Sequence, residues 1–160
     1  MDKDDDILAI FITSHGGPEG VVLRLAGAVY AVLSPDHIAS LLDREGIKNR
    51  LIIVSACYSG VFATRLASPD SVVLTAADAN SASFGCSNER DWTYFGDALF
   101  NHNLAAGVSL EQAFAKAKGE IAQWEARDEV APSNAQGLFG AALAAKLRAK
   151  AGQHGPADER

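Results

Sequence analysis

Two side chains in this sequence, the imidazole of His15 and the thiol of Cys57, occupy matching places. Each follows an apolar run that breaks off at small, turn-forming residues. The first run, Ile7-Leu8-Ala9-Ile10-Phe11-Ile12-Thr13, closes with Ser14-His15-Gly16-Gly17; the second, Leu51-Ile52-Ile53-Val54, closes with Ser55-Ala56-Cys57-Tyr58-Ser59-Gly60. A thiol is an effective nucleophile as its thiolate, a form favoured by a nearby imidazolium or a helix amino terminus. A glycine after the histidine lets the Gly16 N–H approach a substrate carbonyl, and the N–H of Cys57 can supply a second oxyanion donor. The two ends together would form acyl-transfer machinery. Taken alone, Cys57 also reads as a small packing residue and His15 as a hydrogen-bonded turn residue. It is their paired placement that favours chemistry.

For the two groups to meet, the runs must be neighbouring parallel strands, because open α/β sheets bind ligands beyond the carboxyl ends of their strands. The isoleucine-rich run at Ile7–Thr13 suits a strand buried on both faces. Gly16, Gly17 and Gly20 around Pro18 read as a flexible turn, followed by a hairpin of residues 21–25 and 29–33 across Ala26-Gly27-Ala28. Ser34-Pro35-Asp36 starts a helix and Gly46 stops it, with Ile38, Leu41, Leu42 and Glu45 at helical spacing. Arg50 to Ser55 is the second long strand, Val61 to Ala67 a short helix and Ser71 to Thr75 a third strand, the spacing of parallel crossovers. Residues 76–92 form a long, small and polar loop of the kind that lines binding sites. A helix begins at Thr93, and Ser109 with Gln112 caps another whose stripe is Ala113, Phe114, Ala117, Ile121 and Trp124. Residues 136–140 are expected to be a last strand and Ala141 to Ala151 a last helix. The expectation is a single α/β domain over residues 1–151 with a flexible tail at 152–160.

The totals narrow the function classes. A chain of 160 residues with 48% hydrophobic and 21% charged content fits one soluble globular domain. Its net charge of −6 and the lack of a Lys/Arg cluster argue against a nucleic-acid partner. No long apolar span is present, and Met1-Asp2-Lys3-Asp4-Asp5-Asp6 is acidic where a secretory leader is basic. Two cysteines leave the compartment open. Cys86 reads as a loop thiol or a packing residue, and His37, His102 and His154 lack metal-ligand spacing, so no metal or organic cofactor is expected.

The ordered set Ser14-His15-Gly16, Ser55-Ala56-Cys57-Tyr58-Ser59-Gly60, Thr75-Ala76-Ala77, Cys86 and Thr93-Tyr94-Phe95-Gly96-Asp97 resembles the legumain-like cysteine peptidases of the caspase-like clan. The resemblance runs from about Asp5 to Asn101. It implies a caspase-like three-layer sandwich around a mostly parallel sheet. It also implies that Cys57 is the nucleophile, that His15 is the base or proton donor, and that the Gly16 and Cys57 amides are the oxyanion hole. Asp97 falls in the primary specificity pocket, where a carboxylate can meet an asparagine amide or a basic side chain; read alone, it is a helix amino-terminal acid. Ser55 stands where the family has a pocket acid, Ala82 where it has a pocket serine, and Ser14 where it has an aspartate, so strict asparagine specificity is not expected. The resemblance further predicts a strand, helix and strand before Ile7. Their absence here points to a fragment or an internal start, and to an uncovered sheet edge suited to homo-oligomerisation.

The implied activity is cysteine endopeptidase hydrolysis of peptide or protein substrates after Asn or a basic residue, through a thioester. Two alternatives remain at this point. A transpeptidase or transamidase would resolve the same thioester with an amine, and a catalytically impaired module would bind a partner strand along the sheet edge.

Overall fold

The computed structural model describes residues 2–25, 29–86, 90–105 and 107–153. The expected hairpin turn at Ala26-Gly27-Ala28 and the tail from His154 onward lie outside the described residues. In chain order the elements are β1 (Leu8–Thr13), β2 (Gly16–Gly17), β3 (Gly20–Leu25), β4 (Val29–Leu33), α1 (Pro35–Arg44), β5 (Arg50–Ser55), α2 (Gly60–Leu66) and β6 (Ser71–Thr75). After a long loop, α3 (Tyr94–Gly96) runs straight into a π-helical segment, Asp97–Asn103, followed by α4 (Leu110–Arg127), β7 (Gln136–Phe139) and α5 (Ala141–Gln153).

The central sheet has the order β1-β5-β6-β7. β1 with β5 and β5 with β6 are parallel, and β7 is antiparallel to β6. The apolar runs dictate the layering. Strands without a polar face must be covered on both sides, and β5 and β6 send successive side chains into two cores. Ile52, Val54 and Val73 pack with Ile38 and Leu42 of α1 and Phe62 and Leu66 of α2. On the opposite face Ile53, Val72 and Leu74 meet Phe95, Leu99, Phe114, Ile121 and Leu143 from the remaining helices. The α/β reading with a mostly parallel sheet between helical layers is therefore met.

Local signals act where the sequence places them. The Ser34 hydroxyl accepts the His37 N–H at 3.2 Å, Pro35 opens α1, and Gly46 adopts φ +65 just beyond its end. Ser109 and Gln112 form the reciprocal cap of α4. These satisfy N–H groups that a helix end otherwise leaves unpaired.

Four expectations are corrected. β1 is not buried on both faces: Ala9, Phe11 and Thr13 are exposed, with Phe11 at 45%. Among the described residues β1 has no strand on its far side, and on its exposed face Phe11 meets Phe100 of the π-helical segment edge-on, at 5.1 Å between centroids. Gly16-Gly17 is a paired strand and not a flexible turn, in register with Gly20 and Val21. Leu41 is 49% exposed, and Ala39 takes its expected place in the core because α1 meets the sheet on its Ile38-Ala39-Leu42 side. α5 continues to Gln153, so Gly152 and Gln153 belong to that helix and not to a tail.

The face of α1 that carries the packing can be tested by paired truncations. Leu42→Ala, at a buried site, is expected to cost about 2–5 kcal/mol, whereas Leu41→Ala should stay within about 0.5 kcal/mol of the parent. Urea denaturation midpoints at constant m-value measure the difference.

Candidate active site

The register of β1 on β5 brings the two chemical ends together. Leu8 to Thr13 pair one to one with Arg50 to Ser55, so His15 and Cys57 each lie two residues beyond the last matched pair. The Ser14 N–H donates to the Ser55 carbonyl at 3.3 Å and continues the ladder by one step. The Ser14 hydroxyl donates to the Val22 carbonyl at 2.6 Å, and the Val22 N–H donates to the His15 carbonyl at 2.9 Å, which fixes the backbone on both sides of the histidine. The next residue touches the cysteine segment directly: a Cβ on Gly16 would lie 2.0 Å from the Cys57 carbonyl oxygen. No side chain fits there.

The cysteine turn is held from the other side by the loop after β6. The buried Ser59 hydroxyl accepts the Ala77 N–H at 3.1 Å, and the Tyr58 N–H donates to the Ser81 carbonyl at 2.8 Å. Tyr58 takes φ 56, a left-handed turn conformation. Gly60 opens α2 with the Asp78-Ala79 backbone against it, where a Cβ would approach the Ala79 nitrogen to 2.4 Å. The thiol itself is half-buried. Its Sγ donates to the Ser83 carbonyl at 3.4 Å and accepts the Ser83 N–H at 3.3 Å, with the Ser83 hydroxyl at 3.9 Å.

His15 is exposed, and its ring has no hydrogen-bond partner among the described residues. The thiol therefore rests on Ser83 and not on the imidazole, although both project from adjacent strand ends. The Cys57 N–H likewise has no partner among the described residues, which leaves it available as a donor. Ser83 is a residue the sequence reading missed. Nothing in the run Ser81-Ala82-Ser83 distinguishes one serine from the other until the loop is folded.

The expected pocket residues fall in two groups. Ser55 is 1% exposed, and its hydroxyl shares a 2.8 Å hydrogen bond with Thr93. It tethers β5 to α3, since Thr93 also caps that helix through the Gly96 N–H. Ala82 is half-buried beside Ser83. Asp97 lies one turn beyond Thr93, its side chain 24% exposed, beside a cavity of about 220 Å³ lined by Arg90, Asp91 and Trp92. Its carboxylate accepts from Asn101 at 2.8 Å and meets Arg90 at 3.5 Å and His102 at 3.7 Å.

The remaining cysteine, Cys86, is exposed in the same loop as Ser83. Loss of solvent around its sulfur, and then the charge of a Cys57 thiolate nearby, push its thiol above the ordinary value. Among the described residues no group of three or more His, Cys, Asp or Glu is placed to hold a metal, and no helix is long and apolar enough to cross a membrane.

A family model, Peptidase C13 family, matches residues 1–138. No curated protein matches the chain.

His102 provides a pH probe beside Asp97. Its Nδ1 lies 2.7 Å from Glu120 Oε1, and that hydrogen bond, followed by the charges of Glu120 and Asp97, raises its pKa above the ordinary 6.5. A raised folded-state pKa means that the contribution to stability is complete below the unfolded value and is lost as pH rises through the folded one. Glu120→Gln should move the His102 titration downward, and NMR of the ring protons against pH reads that shift.

Proposed function

The chain belongs to the peptidase C13 family, the legumain-like cysteine peptidases, and from that premise we propose that it is an endopeptidase whose nucleophile is Cys57 and whose acid–base group is His15. The sheet of order β1-β5-β6-β7 between helical layers has the caspase-like fold of that family. The elements from β1 to α5 form one catalytic domain in this reading.

The observation that carries the reading is the contact of Gly16 with the Cys57 carbonyl at the ends of two parallel strands. Cys57 Sγ passes its proton to His15 and attacks the carbonyl carbon of the scissile peptide bond. The carbonyl oxygen becomes an oxyanion held by the Gly16 and Cys57 amides. As the C–N bond breaks, His15 gives a proton to the leaving amine, and the acyl group stays on sulfur as a thioester. Water then attacks the thioester, His15 takes one of its protons, and the carboxylic acid and free thiol are released. Ser83 orients the sulfur through its main-chain groups until substrate arrives.

Asp97 is the specificity carboxylate in this reading. An asparagine amide or a basic side chain before the scissile bond takes the place that Arg90 holds at 3.5 Å. The buried Ser55 holds the helix that presents Asp97 without touching substrate.

Cys57→Ala is expected to abolish cleavage of peptides carrying Asn or Arg before the scissile bond, and His15→Ala to lower it by roughly 10²–10⁴-fold. Cleavage by Cys57→Ala at the parent rate, measured by mass spectrometry of the products, would overturn the assignment.

A further inference from the structure

A second polar cavity, of about 640 Å³, opens at the β7 edge of the sheet. It is lined by Glu125 and Lys118 of α4, Thr64 of α2, Ser133 and Asn134 of the segment leading into β7, and Gln136 at the start of β7. Glu125 is 5% exposed. Its Oε1 accepts the Ser133 N–H at 3.0 Å, while Oε2 has no hydrogen-bond partner among the described residues. Among the described residues no buried side-chain oxygen or nitrogen lacks a partner, so Oε2 must reach open space, and the space that Glu125 lines is this cavity. A carboxylate held in the protein body with one acceptor site filled by the main chain and the other open calls for a cationic donor.

The cavity and the cysteine turn share a wall. The Asp78 N–H donates to the Ser133 carbonyl at 2.9 Å, and Asn134 Nδ2 donates to Asp78 Oδ2 at 3.0 Å. The same Asp78-Ala79 backbone closes on Gly60, three residues after Cys57. Thr64 lies four residues farther along α2, about 6 Å at the helical rise per residue. An extended peptide advances about 3.3–3.6 Å per residue, so a side chain three or four positions from the scissile bond has the reach. Hydrogen bonds from Asn80, Ser81 and Asn134 hold the Asp78 carboxyl below its ordinary range, so the shared wall is itself anionic. Lys118 also lines the cavity, but it is exposed, with Nζ 5.9 Å from the Phe114 ring centroid, and it makes no ion pair with Glu125 among the described residues.

We infer that this cavity is a subsite for a lysine or arginine side chain of a bound polypeptide, remote from the scissile bond, with Glu125 as its counter-charge. The assignment of a polypeptide ligand rests on the peptidase reading above. The recognition itself can be tested without cleavage. In the full chain carrying Cys57→Ala, titration with Nα-acetyl-arginine methylamide should shift the amide resonances of Ser133, Asn134 and Gln136. The citrulline analogue, equal in shape but uncharged, should bind about tenfold more weakly.

Glu125→Gln keeps an acceptor for the Ser133 N–H and removes the charge, so the arginine preference should disappear. Lys118→Glu, on an exposed side chain, should strengthen arginine binding. Equal binding of the two probes, an arginine preference that survives Glu125→Gln, or arginine shifts confined to Trp92 and Asp97 would each overturn the inference. If the parent chain cleaves no peptide yet the arginine preference depends on Glu125, the peptidase reading fails and the subsite stands. If cleavage proceeds with no such preference, the subsite alone fails.

Discussion

The site depends on a backbone contact and not on a side-chain pair. At the carboxyl end of β1 the main chain of Gly16 rests against the Cys57 carbonyl so closely that a Cβ would come within 2.0 Å of it. Parallel pairing from Leu8 with Arg50 to Thr13 with Ser55 sets up this approach, and the Ser14-to-Ser55 hydrogen bond extends it. If the strands slipped by one residue, every side chain would change face and the two ends would no longer match. The buried apolar residues of β5 therefore do more than stabilise the core: they fix the register that aligns histidine with cysteine.

Small residues around the cysteine serve close approach in the same way. Gly60 admits the Asp78-Ala79 backbone, Gly85 at φ +91 admits the backbone of Tyr94, and Ser59 bonds both main-chain groups of Ala77. Among the described residues of the loop after β6 there is no helix or strand, yet it is tied at Ala77, Asp78, Ser81 and Ser83 to the cysteine turn and the β7 segment. Its polar composition is that of a binding loop, and its hydrogen bonds make it a wall.

Much of this was legible in the sequence, and the reasons differ by element. Continuous apolar runs between turn residues located β1, β5 and β6, and the serine caps located the starts of α1 and α4, because those signals are local. The exposure of β1 was not legible. An edge strand and a central strand can both read as isoleucine-rich, and coverage depends on what packs from far along the chain. The same limit explains Leu41, whose spacing fits the apolar face of α1 but whose side chain falls just outside the contact with the sheet. Glu125 interrupts an otherwise apolar stripe, and only the fold shows that the Ser133 N–H, eight residues away, compensates half of its carboxylate.

For the site, the strand ends made His15, Gly16 and Cys57 candidates, but partner choice was set by tertiary contacts. The thiol lies on Ser83, Ser55 on Thr93, and Asp97 among Arg90, Asn101 and His102. These contacts share a direction: each links the β5 end or the pocket helix to a segment that follows β6. A polar group removed from water must find a partner, and here the partners all come from the loop and helix that follow β6, beyond the carboxyl ends of the parallel strands. The hydrogen bonds that satisfy buried polar groups are thus also the bonds that set the distance between the cysteine turn and Asp97. Stability and the placement of Asp97 relative to Cys57 rest on the same few contacts. A substitution at Ser55 or Thr93 would move Asp97 relative to Cys57 while leaving the β1–β5 register in place.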